Sequence, residues 1–416
     1  MTSALLDPDL APQGSHKIDW AATWSPVLNR VRERFRDEEV VKGRRMGVIL
    51  PLEPKTAYLA QVLAEAGAEV ALACPAAFTK DDVAAALADR GVEVFARSDA
   101  SPEQERHFYA QVLARRPEVV IDDRAELIRM AHTSHRHALE ELRGATELTT
   151  SGVTALRAME REGVLAVPCI AANDANCKHY YDNRYGSGQS VLQAIQDATN
   201  LLLAGKEVLV VGYGWVGRGI ASRARGKGAR VTIAEVDPFA ALEAYNDGFE
   251  VAAVAQACRR ANLVITATGC REALGQEQIE LLGDGTLLAN AGGVDDEFDM
   301  DKLRARALEE RRVRPHVAEF LLDEDHSIFV IGDGKVVNLS AGEGHPVEIM
   351  DLSFSVQALG ARHLLLHAEE MEPGVHLLPG EIDDQIARDK LASLGLEIDR
   401  LSGEQQRFLS GWEAPQ

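Results

Sequence analysis

Short apolar runs alternate with amphipathic segments along most of this chain. Residues 46–50, 69–74, 92–96 and 119–122 are short, mainly apolar runs and predict strands. Residues 56–66, 80–89 and 102–114 carry apolar positions at helical spacing and predict the helices between them. Strands that alternate with helices predict a parallel sheet, with functional groups at the carboxyl ends of its strands. Those ends are residues 51–55, 74–79 and 122–124. Ahead of this region, residues 18–35 place Trp20, Trp24, Val27, Leu28 and Val31 at helical spacing. They predict one amphipathic helix with both tryptophans in the core, preceded by a mobile stretch over residues 1 to about 16.

The second half repeats the alternation around a glycine cluster. The apolar run 208–211 ends in Gly212-Tyr213-Gly214-Trp215-Val216-Gly217, a helical pattern covers 215–223, and a second apolar run, 229–234, ends on Glu235. Gly212 permits a tight turn, Gly214 lets a pyrophosphate approach the backbone, and Gly217 lets the helix pack on the strand. The helix N-terminus then offers free N–H groups and a positive dipole end to phosphates. Glu235 stands about 20 residues on, where an acid takes the ribose hydroxyls of NAD and repels the 2′-phosphate of NADP. Residues 263–267 and 285–290 predict further strands; they end in Thr268-Gly269-Cys270 and Ala291-Gly292-Gly293, which belong over the same dinucleotide. A connecting helix is expected over 188–203, a strand interrupted by Pro168 over 164–171, a returning helix over 347–368 and a last helix over 382–394.

The expected fold is therefore α/β, with two doubly wound parallel-sheet domains. A substrate domain takes residues 1–182 completed by 346–375. A Rossmann-type NAD domain takes 183–345, and a short C-terminal segment takes 376–416. The 416 residues suffice for two such cores, and the formal net charge of −21 argues against nucleic acid and anionic membrane surfaces as partners. No apolar run is long enough to span a bilayer, and the N-terminus does not read as a signal peptide. The five cysteines are scattered without a CxxC pair, which suits a reducing cytoplasm and predicts no metal site.

A second informative stretch runs from 147 to 183. Thr149-Thr150-Ser151-Gly152-Val153 is a hydroxyl-rich turn into a helix, and Asn173-Asp174, Lys178 and Asp182-Asn183 cluster after it. On a helix Lys178 and Asp182 form an i,i+4 pair, which spacing alone reads as a surface ion pair. With Asp122-Asp123, Asp182-Asn183-Arg184-Tyr185-Gly186, the glycine cluster, Glu235-Val236-Asp237-Pro238, Thr268-Gly269-Cys270, Asn338-Leu339 and Gly344-His345-Pro346, the chain resembles the S-adenosylhomocysteine hydrolase family from about residue 16 to 409. The resemblance implies bound NAD that oxidises the ribose 3′ carbon of a nucleoside thioether, loss of the C4′ proton, expulsion of the 5′ thiolate, addition of water and return of the hydride. It implies that Lys178 and Asp182 hold the 3′ hydroxyl, that Asn183 orients Lys178 and the nicotinamide edge, and that Asp123 is the acid/base near C4′ and C5′. His345 would contact the purine, with Met350 and Phe354 closing over the ring. Thr149, Thr150, Ser151, Asn183, Gly212, Gly214, Trp215, Val216, Gly217, Glu235, Thr268, Gly269, Asn290 and Asn338 would line NAD. A homo-oligomer, dimer or tetramer, is implied as well.

The chain departs from the family pattern on one side of the reaction. Where the family has Leu-His-Met-Thr-x-Glu-Thr-Ala, this chain reads Leu50-Pro51-Leu52-Glu53-Pro54-Lys55-Thr56-Ala57. A histidine has become Pro51, and the glutamate that meets the adenine amino group has become Lys55. A ribose-binding glutamate is Leu148, a second histidine is Gly293, a cysteine is Ser187, and a C-terminal Lys/Tyr arm is missing. The parts for hydride transfer are kept, while the histidines around the 5′ leaving group are gone. Lys55 replaces an acceptor with a donor, which favours a 6-oxo purine unless Glu53 compensates. Three functions follow: the family's hydrolysis, oxidation of a hydroxyl on a different nucleoside or sugar-like substrate, or a catalytically silent NAD-binding protein.

Overall fold

The computed structural model describes residues 3–412. The first two residues of the stretch read as mobile, and residues 413–416 of the C-terminal segment, lie outside the described residues. One sheet takes β1 (Arg45–Ile49), β2 (Glu69–Ala73), β3 (Glu93–Phe95), β4 (Val119–Asp122), β5 (Gly144–Glu147) and β6 (Pro168–Ile170). The other takes β7 (Glu207–Val211), β8 (Arg230–Ala234), β9 (Glu250–Val251), β10 (Leu263–Thr266), β11 (Thr286–Asn290), β12 (Glu309–Arg314), β13 (Val317–Asp323) and β14 (His326–Ile331). A last strand, β15 (Gly374–His376), returns to the first sheet beside β6.

The spatial orders are β3-β2-β1-β4-β5-β6-β15 and β9-β8-β7-β10-β11-β14-β13-β12. Every pairing in the first sheet is parallel. The second repeats the same winding from β9 to β14, so strand order reverses at β1/β4 in one sheet and at β7/β10 in the other. In open α/β sheets that reversal opens a crevice outside the carboxyl ends of the strands. Burial on both faces explains the apolar runs: Val48 and Ile49 in β1, and Val208 to Val210 in β7, are almost wholly buried.

The second sheet is mixed rather than parallel throughout, because β12, β13 and β14 pair antiparallel. Sequence patterning did not reveal these strands. Every residue of β12 is exposed, and its composition is charged, so it carries no apolar alternation. It is an edge strand blunted by charge, with Arg311 paired to Glu319 across the hairpin.

Near the N-terminus two helices, Ala11–Thr23 and Pro26–Glu38, replace the single one expected. Pro26 starts the second helix, where its missing N–H is harmless, but it cannot continue the first. Ile18, Ala21, Val27, Leu28, Val31 and Phe35 fill the core, while Trp20 and Trp24 are 62% and 44% exposed. The tryptophans therefore stack on each other at the surface, with centroids 5.7 Å apart, and are not core residues. The stretch expected to be mobile is tied down from residue 4, where the Ala4 N–H donates to the Val94 carbonyl at 2.8 Å. The strand expected over 164–171 shrinks to β6, with Pro168 as its first residue, where no ladder donor is required.

The chain crosses between the sheets through the helix Ser187–Thr199 and crosses back before the helix Val347–His367. The returning helix buries Leu352, Phe354, Val356 and Leu364 in the apolar core of the first sheet. Among the described residues no helix is long and apolar enough to cross a membrane.

Candidate active site

The two crevices face each other across a shared cavity of about 330 Å³. From the first sheet come Pro51 and Glu53 after β1, Asp123 and Arg124 after β4, and Leu148, Thr149, Thr150 and Ser151 after β5. From the second come Gly214, Trp215 and Val216 after β7, Thr268 and Gly269 after β10, and Gly292 and Gly293 after β11. Lys178, Asp182, Asn183, Asn338, His345, Met350 and Phe354 complete the wall. Residues far apart in sequence meet because both sheets point their strand ends inward.

Lys178 sits just before a π-helical segment, His179–Gly186. Such a segment closes each turn with one extra residue, so positions four and five along both face the starting residue. The Lys178 Nζ accordingly lies 3.2 Å from Asp182 Oδ1 and donates to Asn183 Oδ1 at 2.8 Å. Lys178, Asp182 and Asn183 are all buried, so the i,i+4 pair is internal and not at the surface. Asp182 also accepts from Ser353 Oγ at 2.8 Å and lies 3.3 Å from His345 Nδ1. Burial pushes the Asp182 carboxyl up, but the Lys178 ammonium and His345 outweigh burial and hold it well below the usual carboxylate range. His345 therefore stands against Asp182 and Ser187 Oγ, 3.1 Å from its Nε2, as well as at the cavity wall.

The opposite wall fits a dinucleotide. A Cβ on Gly217 would lie 2.0 Å from the Gly212 carbonyl, so only glycine lets this helix approach the turn. Gly212 itself has φ +98°, and a Cβ on Gly214 would meet open space, as a backbone facing a pyrophosphate requires. Asn338 Oδ1 is buried without a partner, an acceptor suited to a carboxamide N–H. Glu235 follows β8 and accepts from the Tyr213, Val236 and Asp237 N–H groups. Gly212, Gly217 and Glu235 are not among the residues that line the cavity.

Two residues expected at ligands are turned elsewhere. Asn290 is fully buried; its amide donates to the Val294 and Gly334 carbonyls and its oxygen accepts from the Gly292 N–H, so it fixes the 291–294 turn and does not reach the cavity. Lys55 pairs with Glu53 at 2.5 Å and donates to the Glu343 and His345 carbonyls at 2.7 and 2.9 Å. All three of its donors are thereby used, and Glu53 is the member of the pair that lines the cavity.

Three carboxyls close the far end. Asp122 and Glu147 are fully buried, and burial drives both carboxyls, with that of Asp123, above the usual range. Asp123 lines the cavity, and its Oδ1 has no partner. Glu147 accepts from the Arg124 and Ala125 N–H groups at 3.0 and 2.9 Å. It thereby holds two consecutive non-glycine residues at φ +59° and +55°. Each residue in that left-handed region costs on the order of 1–3 kcal/mol. Arg124, Glu147 and Glu297, whose buried carboxylate accepts from the Thr268 N–H, were missed in the sequence. The available signal was an acid next to a hydroxyl turn, which is common and carries no geometry.

Comparison with known proteins accords with this arrangement. The family model "S-adenosyl-L-homocysteine hydrolase, NAD binding domain" matches residues 183–344, and "S-adenosyl-L-homocysteine hydrolase" matches residues 3–138. The S-inosyl-L-homocysteine hydrolase of Methanopyrus kandleri is 47% identical over 412 residues, covering 99% of this chain and 97% of its own. The adenosylhomocysteinase of Pyrococcus abyssi is 46% identical over 408 residues, covering 98% and 97%. The S-inosyl-L-homocysteine hydrolase of Methanocaldococcus jannaschii is 45% identical over 407 residues, covering 98% of each. With a dinucleotide crevice whose cofactor is NAD, a buried Lys–Asp pair facing it and similarity over the whole length, the chain belongs to the S-adenosyl-L-homocysteine hydrolase family.

Proposed function

We propose that this protein acts on a purine-nucleoside thioether of the S-adenosylhomocysteine type, by reversible oxidation at the ribose 3′ carbon with elimination and hydration at C5′. The observation that carries this reading is the buried Lys178–Asp182–Asn183 cluster on the wall of the cavity shared with the dinucleotide crevice. Bound NAD supplies the two-electron oxidation and its reversal. Lys178 holds the 3′ hydroxyl and, as a neutral amine, takes its proton during the oxidation, with Asp182 fixing the ammonium so formed and Asn183 its direction. Oxidation acidifies the neighbouring C4′ proton, and Asp123, with an unpartnered oxygen and a raised carboxyl, moves that proton and serves the leaving thiolate. Met350 and Phe354 give the base an apolar wall, and closure of the two crevices keeps water from the ketone. Mixing the NAD-loaded protein with S-adenosylhomocysteine and following bound NADH at its near-ultraviolet band together with free homocysteine tests this. Both signals are expected; neither signal with NAD held would leave the silent reading standing.

Pro51 and Gly293 favour a second reading. Neither can transfer a proton at the positions where the family resemblance expects histidines, so oxidation proceeds while elimination is slowed. In that case the substrate is a different nucleoside or sugar-like alcohol, and NADH appears without homocysteine. Base choice rests on Glu53, an acceptor at the cavity wall with an ammonium behind it. A 6-oxo purine offers N1–H to the carboxylate and O6 to the ammonium if Lys55 releases one carbonyl. Stronger binding of inosine than adenosine supports this, and a clear preference for adenosine removes it. We also propose a cytoplasmic homo-oligomer, dimer or tetramer, which light scattering on the purified protein decides.

A further inference from the structure

Arg124 is not explained by hydride transfer, and its backbone is the strained one. A glycine at φ +59° would carry no strain, yet the position holds the largest cation of the cavity wall. The turn is clamped by Glu147 through the Arg124 and Ala125 N–H groups, which fixes where the Arg124 side chain leaves the backbone. It lies 5.6 Å from the centre of the Phe78 ring and reaches across the cleft to Asp295, with N···O contacts of 3.3 and 3.4 Å. Those contacts are long, and they occupy only the two terminal nitrogens. Asp295 belongs to the other sheet's loop after β11, beside Gly293. The same wall carries the Asp123 carboxyl, which acts on Arg124, and the uncharged Pro51, Leu148 and Gly293.

We propose that Arg124 and Asp295 form the receptor for the α-amino-acid end of the substrate, Arg124 taking its carboxylate and Asp295 its ammonium. The proposal rests on the nucleoside-thioether reading and names the part of the substrate that reading leaves unheld. The pair offers one charge of each sign, Arg124 on the cavity wall and Asp295 set against it from a partly exposed loop, which matches a zwitterion. A phosphate would gain Arg124 but face Asp295 and Asp123. Inserting the amino-acid head replaces one long ion pair with two charge-assisted contacts and draws the sheets together.

Titration calorimetry on the NAD-loaded protein tests this with S-adenosylhomocysteine, 5′-methylthioadenosine and adenosine 5′-monophosphate. The first two share nucleoside and thioether and differ in the amino-acid head. S-adenosylhomocysteine is expected to bind about 10- to 100-fold tighter than the methylthio compound. Arg124→Gly, which suits the left-handed turn and so keeps the fold, collapses that ratio; Arg124→Lys restores part of it, and Asp295→Asn lowers it. An unchanged ratio in Arg124→Gly, or equal weakening of both thioethers, overturns the proposal and leaves Arg124 a structural role. Monophosphate bound as tightly as S-adenosylhomocysteine, and lost in Arg124→Gly, overturns it in favour of a plain anion site. If none of the three binds while NAD is held, the same comparison with S-inosylhomocysteine and 5′-methylthioinosine decides: no binding of either overturns the nucleoside reading itself, and the proposal with it.

Discussion

The cavity has two unlike ends. At the end toward the dinucleotide, the glycine turn, Asn338 and the Lys178–Asp182–Asn183 cluster form a set in which each group has a defined partner or a defined vacancy for a ligand. At the other end the wall carries the uncharged Pro51, Leu148 and Gly293, and a strained Arg124 stands beside the raised Asp123 carboxyl. The contrast separates two demands. Hydride transfer needs a fixed geometry between one carbon and one ring, and tolerates little change. Departure of a leaving group needs a proton donor and a place for the group, and either can be rebuilt from other residues.

The largest effect expected on the contrast comes from Lys178→Ala. Formation of NADH on mixing with nucleoside should fall about 10²–10⁴-fold, and an undiminished signal would remove Lys178 from the chemistry. Next is Pro51→His combined with Gly293→His, which should raise homocysteine release by about 10²-fold if the 5′ side lacks only its proton donors. A Cβ at 293 meets Ser151 Oγ at 3.2 Å, so a small side-chain shift accommodates it. No gain would mean that the 5′ end has been rebuilt for another substrate. Third is Gly217→Ala, whose Cβ would sit 2.0 Å from the Gly212 carbonyl. It should strip NAD from the purified protein and lower stability by about 1–3 kcal/mol, read by cofactor absorbance and calorimetry.

The fourth test concerns the carboxyl end. Burial raises the Asp123 carboxyl above its unfolded value of about 3.9. Between those two values the unfolded chain releases its proton first, so this group makes stability fall as pH rises through the window. Asp123→Asn cannot titrate, so its melting temperature relative to the parent should rise from pH 4 to pH 8. A relative fall would mean that Arg124 stabilises the ionised form more than burial opposes it. Smallest is Trp20→Ser. Because Trp20 is 62% exposed, unfolding free energy should change by less than about 0.5 kcal/mol; a larger loss by denaturant titration would place that surface in an assembly.

Much of the α/β architecture was legible because strands buried on both faces must be apolar throughout. Strands β1, β2, β4, β7, β8, β10 and β11 show this. The charged β12 left no such trace. Helical spacing also misled at Trp20 and Trp24, because it reports a face and not what covers it; Pro26 redirects the chain beyond them. Among the site residues, Lys178 and Asp182 were readable as a pair, but spacing assigned them to the surface. Lys55 and Asn290 were placed at ligands, and their hydrogen bonds turn them to loops instead.

The sequence alone determined the family and the dinucleotide turn, because these depend on which residue types occupy neighbouring positions. Only the tertiary structure decided that Lys178 is buried, that Glu53 and not Lys55 faces the cavity, and that Arg124 meets Asp295 across the cleft. The last two depend on residues far apart in the chain that the fold brings together. Local pattern fixes which strand a residue ends, but what stands opposite is set by how the two sheets meet.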